Sequence, residues 1–137
     1  DWFCANRLSL NANKTKFIVI IPPNLKCEFA KLNIKINGVC LQQIGKHTDE
    51  CSTKFLGVHI DEHLSWKYHF NHINNKISRA LFMLKQVKHF LPADALRTLY
   101  FSMIHPHLSY GILAWGNANK TELNRTVILQ KRAIRIN

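Results

Sequence analysis

Acidic side chains are scarce in this chain. Eight Asp and Glu stand against nineteen Lys and Arg over 137 residues, a formal net charge of +11. The shortage argues against hydrolases that work through paired carboxylates with separated pKa values. The acids Asp1, Glu28, Asp49, Glu50, Asp61, Glu62, Asp94 and Glu122 include only two adjacent pairs, both in turn-like segments where neighbours are solvated. Glycine is sparse as well, with five in all, and none builds a phosphate-cradling loop; G-x-S-x-G and H-E-x-x-H are absent. Cys4, Cys27, Cys40 and Cys51 form no C-x-x-C pair and follow no signal peptide, so they read as reduced thiols of an intracellular protein rather than a disulfide framework. The longest apolar run, Phe17 to Ile21, is far short of the roughly 20 residues that cross a bilayer, so the chain reads as soluble and no membrane partner is expected, although composition alone does not choose between nucleic acid and anionic lipid.

What is present is a chain able to bury a core, since 47% of its residues are apolar. Its length suits one domain or a piece of a larger one. The charge excess points to a polyanionic partner and is heavier in the second half: residues 61–137 carry eleven Lys and Arg against four acids, residues 1–60 eight against four. The chain lacks an initiator Met and ends in mid-pattern, so both ends read as cuts, and a sheet cut at its edge predicts poor solubility.

The first third has strand periodicity. Trp2 to Leu8 reads as the tail of a helix, and Thr15 to Ile21 as a strand halted by Pro22-Pro23. Leu32 to Ile36 alternates apolar and polar, meets Asn37-Gly38 and resumes at Val39 to Leu41, the pattern of a hairpin. After a polar connection around Lys46 to Ser52, Lys54 to Ile60 predicts a further strand closing at Asp61-Glu62. From Ser65, a plausible N-cap, the period changes to 3.6, and Phe70, Ile73, Ile77, Ala80, Leu84, Val87 and Leu91 form one apolar stripe. Pro92 opens a second helix with Leu96, Leu99, Tyr100, Met103 and Ile104 inward; Pro106 should kink or split it. Leu108, Ile112 and Trp115 continue the pattern to Gly116-Asn117, and a last helix opens near Thr121 with Leu123, Val127, Ile128 and Ile134 inward. The fold class is therefore α+β: small antiparallel sheets or hairpins over residues 1–62, followed by a helical bundle over 63–137.

Two features carry candidate chemistry. His59 and His63 are four apart and His69 and His72 three apart, but neither pair has a Cys or carboxylate at matching metal-ligand spacing, so no metal site is assigned. His72, Lys76 and Arg79 share one side of the long helix, with Lys85 and Lys88 further along and no acid between Leu64 and Ala93. Such a stripe suits a phosphate backbone and suits an ordinary solvated face equally. Arg125, Lys131, Arg132 and Arg135 repeat it on the last helix.

Six ordered fragments carry a resemblance. Trp2-Phe3 with Asn6 to Asn11 and Lys14-Thr15, then Lys54 to Asp61, then Leu64-Ser65-Trp66 with His69 lead into Leu91-Pro92 with Leu96 and Leu99-Tyr100. Pro106 with Leu108-Ser109-Tyr110-Gly111 and Ala114-Trp115-Gly116, and finally Gln130-Lys131-Arg132-Ala133, complete the series. In this order the chain resembles reverse transcriptases of non-LTR (LINE-type, jockey-like) retrotransposons over nearly its whole length. The resemblance implies the end of the polymerase palm over 1–62 and, over 63–137, the thumb and the start of the following connector. It implies that Lys14 corresponds to the palm lysine that donates a proton to departing pyrophosphate, with a solvated turn lysine as the equal alternative. It also implies that Phe55-Leu56-Gly57 is the primer-grip hairpin; the residues alone read as a plain strand with Gly57 at a bulge. The basic helices would hold an RNA/DNA template–primer duplex.

The palm motifs bearing the metal-binding aspartates are absent from this chain, so no cofactor is expected in it, and Mg²⁺ is expected only in the complete polymerase, with the missing fingers and palm as partners. The chain is then inactive alone, and nuclear if functional. A free-standing basic nucleic-acid-binding module and an inert relic of a decayed element remain as alternatives.

Overall fold

The computed structural model describes residues 2–24, 32–45 and 50–136. Cys27 and much of the polar connection expected around Lys46 lie outside the described residues. Two compact units are present, Asp1–Phe55 with Ile60–Leu64, and Leu56–His59 with Ser65–Asn137.

The first unit holds a short helix α1 (Trp2–Ala5), a 3₁₀ turn at Ala12–Lys14 and strands β1 (Lys16–Ile18), β2 (Lys35–Ile36), β3 (Val39–Cys40), β4 (Gln42–Ile44) and β5 (Thr53–Phe55). The helix tail expected to reach Leu8 gives way to turn at Asn6, and Arg7 stands at φ +53°. β2 and β3 form the expected antiparallel hairpin about Asn37-Gly38, with Lys35 opposite Cys40 and Ile36 opposite Val39. The expectation of purely antiparallel sheets is corrected at β1, which pairs parallel with β4, Lys16 opposite Gln42 through Ile18 opposite Ile44. A two-residue turn joins only antiparallel neighbours, whereas the long connection over 19–41 lets the chain return to the same end and pair in parallel. Because β4 offers three partners, the strand expected to run to Ile21 stops at Ile18, and the Ile21 N–H donates instead to the Glu62 carbonyl at 2.8 Å. Cys40 and Cys51 are free thiols.

The strand expected from Lys54 to Ile60 is two strands. β5 and β6 (Val58–Ile60) flank Leu56 and Gly57, whose φ values are +44° and +85°. Two successive positive φ values are those of the tight hairpin turn whose twist matches that of its strands.

The second unit is helical. α2 (Lys67–Val87) follows Trp66 at φ +62°, so the helix begins two residues after Ser65, whose hydroxyl accepts the Lys67 N–H at 3.4 Å. Phe70, Ile73, Ile77, Ala80 and Leu84 are buried as their spacing demands, while Leu91 lies beyond the helix and is exposed. α3 (Ala93–Met103) starts after Pro92, which is its cap rather than its first residue. Pro106 splits the next stretch: α4 (His105–Ser109) carries it in the first turn, where its missing N–H is harmless. α5 (Ile112–Trp115) and α6 (Lys120–Ile134) complete the unit, the latter capped by the Asn119 side chain accepting the Thr121 N–H at 3.2 Å.

Ile77, Ala80, Leu81, Leu84, Leu96, Tyr100, Ile104 and Ala133 form the main core, and Phe70, Ile73 and Trp115 a second cluster. Of the apolar residues expected on α6, Leu123 packs against the second cluster, and the other three differ from expectation. Val127, Ile128 and Ile134 are exposed, whereas Thr126 and Ala133 are buried against α2. Small side chains there let the helices approach closely, and the Thr126 hydroxyl donates to Asn74 Oδ1 at 2.8 Å.

Candidate nucleic-acid interface

The tip of the β5–β6 turn is exposed and apolar. Phe55 is 61% and Leu56 75% exposed. Within the helical unit, Tyr110 at the end of α4 donates its hydroxyl to the Leu56 carbonyl at 2.5 Å. A Cβ on Gly57 would lie 3.0 Å from the Tyr110 ring, so only glycine satisfies both the positive φ and the contact. Gly111, at φ +68°, brings its Cα to Val58, where a Cβ would meet Cγ2 at 3.1 Å. The Tyr110 carbonyl in turn accepts the Trp115 indole N–H at 2.8 Å, and Trp115 is buried edge-on against Phe70, ring centroids 5.4 Å apart. A chain of contacts thus runs from the hairpin tip into the core.

Lys14 ends the 3₁₀ turn, is exposed, and lines a cavity of about 340 Å³ together with Lys16, Phe17, Ile18, Ile44, Thr53, Phe55 and Ile60. Lys14 and Phe55 are therefore brought to one cleft of the first unit. Its neighbour Lys16 forms an ion pair with Glu50.

The cations of α2 are less coherent than their spacing suggests. Lys76 and Arg79 are exposed on one flank; Lys85 is exposed roughly half a turn of helix from Lys76, and Lys88 lies past the helix end as its cap residue. His72 is half-buried, its ring 4.7 Å from that of His59. Lys76 stands close enough to His107 on α4 to add to the burial that lowers the His107 pKa. On α6 the arrangement is tighter. Arg125, Lys131 and Arg132 on the helix and Arg135 at its cap are all exposed, and the buried Thr126 and Ala133 occupy the opposite arc. Among the described residues none of these four makes an ion pair. The three nearest the C-terminus also suit the negative end of the helix dipole.

His59, His69 and His72 converge, although they come from β6 and α2. His69 is 2% exposed, its Nδ1 accepts the His59 N–H at 3.5 Å, and its ring lies 5.7 Å from Trp115. Burial, reinforced by His59 and His72, lowers its pKa from 6.5 to about 4. Among the described residues no group of three or more His, Cys, Asp or Glu could hold a metal ion. Nor is any described helix long and apolar enough to cross a membrane.

Tyr110, Gly111 and Trp115 were not candidate site residues on spacing alone. Their one sequence signal was the ordered fragment Leu108 to Gly111 followed by Ala114-Trp115-Gly116.

The chain is 30% identical over 105 aligned residues to a probable RNA-directed DNA polymerase from transposon BS of Drosophila melanogaster, covering 74% of this chain and 11% of that protein. It is 27% identical over 139 aligned positions to the RNA-directed DNA polymerase from mobile element jockey of Drosophila funebris, covering 98% of this chain and 14% of that one. No family model matches the chain, and no solved structure matches it. The chain is thus related to the RNA-directed DNA polymerases of mobile elements. These relatives support the resemblance to non-LTR retrotransposon reverse transcriptases that the ordered fragments carry, and the chain spans between about a tenth and a seventh of their length.

Proposed function

We propose that this chain is the end of the palm (residues 1–62) and the thumb with the start of the connector (63–137) of a non-LTR retrotransposon reverse transcriptase, and that it holds an RNA/DNA template–primer duplex. The observation that carries the reading is the β5–β6 turn, which presents Phe55 and Leu56 outward and is closed by Gly57 at φ +85° in a chain related to these polymerases. Backbone at a glycine can approach a primer strand closely, and an apolar tip suits sugar and base faces rather than phosphate. The basic arc of α6 supplies phosphate contacts, which set register without reading sequence. Lys76 and Arg79 extend that contribution from α2, with Lys85 and Lys88 on its other flank. Lys14 shares a cleft with Phe55, which supports the reading that it serves the growing end, where an ammonium can stabilise or protonate a leaving oxyanion.

Nucleotidyl transfer by two metal ions needs a cluster of carboxylates, and the described residues hold none, so they do not fit Mg²⁺. The metal-binding carboxylates are assigned to the rest of the polymerase, and the chain by itself binds without catalysing. The test is a fluorescence-anisotropy titration of a labelled RNA/DNA hybrid at several salt concentrations. We expect log K to fall linearly with log salt, with a slope of about −0.9 for each phosphate neutralised. Absence of binding at low salt overturns the reading, and Mg²⁺-dependent nucleotide incorporation by this chain overturns the assignment of catalysis to residues elsewhere.

A further inference from the structure

We infer that Tyr110 is a positioning residue that fixes the hairpin tip for the end of the primer strand. The inference rests on the reading of Phe55-Leu56-Gly57 as the primer-contacting turn. A two-strand hairpin of three residues a side is at best marginally stable by itself, so its tip would sample many orientations. Three contacts remove that freedom. The Tyr110 hydroxyl holds the Leu56 carbonyl, the Tyr110 ring closes over Gly57 so that a Cβ there would meet it at a tight 3.0 Å, and Gly111 seats against Val58. Tyr110 is held in turn, because Trp115 donates to its carbonyl and is itself anchored in the aromatic cluster with Phe70.

The α4–α5 corner therefore works as a clamp. Its α4 half begins at the break made by Pro106 and its α5 half begins at Gly111, so the corner's geometry is built from residues that cannot continue a straight helix. The Leu56 side chain, left outside the clamp, is presented in one direction. Because the hydroxyl contacts a backbone carbonyl, the clamp sets where the Leu56-Gly57 turn is and leaves the chemistry of the turn to the Leu56 side chain.

The ring and the hydroxyl are separable. Tyr110→Phe keeps the ring over Gly57 and removes the hydrogen bond alone. Affinity is measured by anisotropy for two probes: an RNA/DNA hybrid with a recessed DNA 3′ end, and an uninterrupted RNA/DNA duplex of equal length. We expect Tyr110→Phe to weaken binding of the recessed hybrid by about three- to tenfold, the range of one neutral hydrogen bond. The uninterrupted duplex should bind within a factor of about two of the parent, and the salt slope should stay the same because no ionic contact is lost.

A role confined to stability would lower both affinities together, and that outcome overturns the inference. So does equal binding of the recessed hybrid by parent and variant. Gly57→Ala, which introduces both strain and a clash, should reproduce the selective loss more strongly, and circular dichroism identifies it if it fails to fold. If the parent binds neither probe, the reading of function fails first; if the parent binds both and Tyr110→Phe behaves as the parent, only the clamp fails.

Discussion

Replacing Leu56 by Asn should make the protein more stable and a poorer ligand for nucleic acid. The chain contains an internal standard, since the Asn37-Gly38 and Leu56-Gly57 turns each place two successive residues at positive φ. At the first of these positions Asn is favoured because its short polar side chain tolerates the left-handed region, whereas a leucine there is strained by about 1 kcal/mol or more. Leu56 recovers little of this by burial, being 75% exposed. Leu56→Asn should therefore gain about 1 kcal/mol and raise the thermal midpoint by about 4–8 °C for a unit of this size. Thermal unfolding by circular dichroism reads the gain, and anisotropy on the recessed hybrid reads the loss of affinity, about threefold or more for one apolar contact. The Tyr110 bond to the Leu56 backbone survives the change, so the two effects are not confounded. Residues held in strained conformations gather at functional sites because function opposes relief of the strain. A variant no more stable than the parent would refute the strain argument, and one that is more stable and binds equally well would refute the functional reason for it.

The basic arc, the buried histidine and the buried polar pair lead to further predictions. Lys131→Ala with Arg132→Ala should reduce the salt slope by up to about two, while Lys85→Ala, on a different helix flank, should change it less; equal effects would remove α6 as the principal phosphate contact. His69 has a folded-state pKa near 4, below the 6.5 of an exposed histidine. Its stabilising effect is present in full above pH 6.5 and is lost as pH falls from there to about 4, by up to about 3 kcal/mol. In His69→Gln that part of the acid destabilisation should be missing from denaturant midpoints measured between pH 7.5 and 4.5, and an unchanged pH profile would contradict the assignment. Thr126→Val should cost about 1–3 kcal/mol by leaving Asn74 without its partner, and adding Asn74→Leu should recover much of it; additive losses in the double variant would show that the two residues do not act as a pair.

Much of the helical unit was legible because burial in a helix depends on a local period. Phe70, Ile73, Ile77, Ala80 and Leu84 are inward as their spacing requires, and Pro106 divides the helices because its ring and missing N–H act within one turn. The Asn37-Gly38 hairpin was legible for the same local reason. The Leu56-Gly57 turn was legible only through the resemblance, because Leu has no propensity for the left-handed region and the residues alone read as an unbroken strand. On α6 the apolar residues promised an inward face that the close approach of α2 assigned to Thr126 and Ala133 instead. The cationic stripe of α2 dispersed because a helix keeps i, i+4 and i+7 on one side but carries Lys85 away from them.

The amino-acid sequence by itself determined the α+β class, the change of period at residue 65, the positive charge and the kinship with mobile-element polymerases, since each depends on composition or on order along the chain. Only the tertiary structure decided the parallel pairing of β1 with β4, the meeting of His59 with His72, and the hold of Tyr110 on the hairpin tip. These join residues far apart in sequence, and such contacts are chosen by which surfaces pack closely enough to satisfy their hydrogen bonds, a condition that no local pattern encodes.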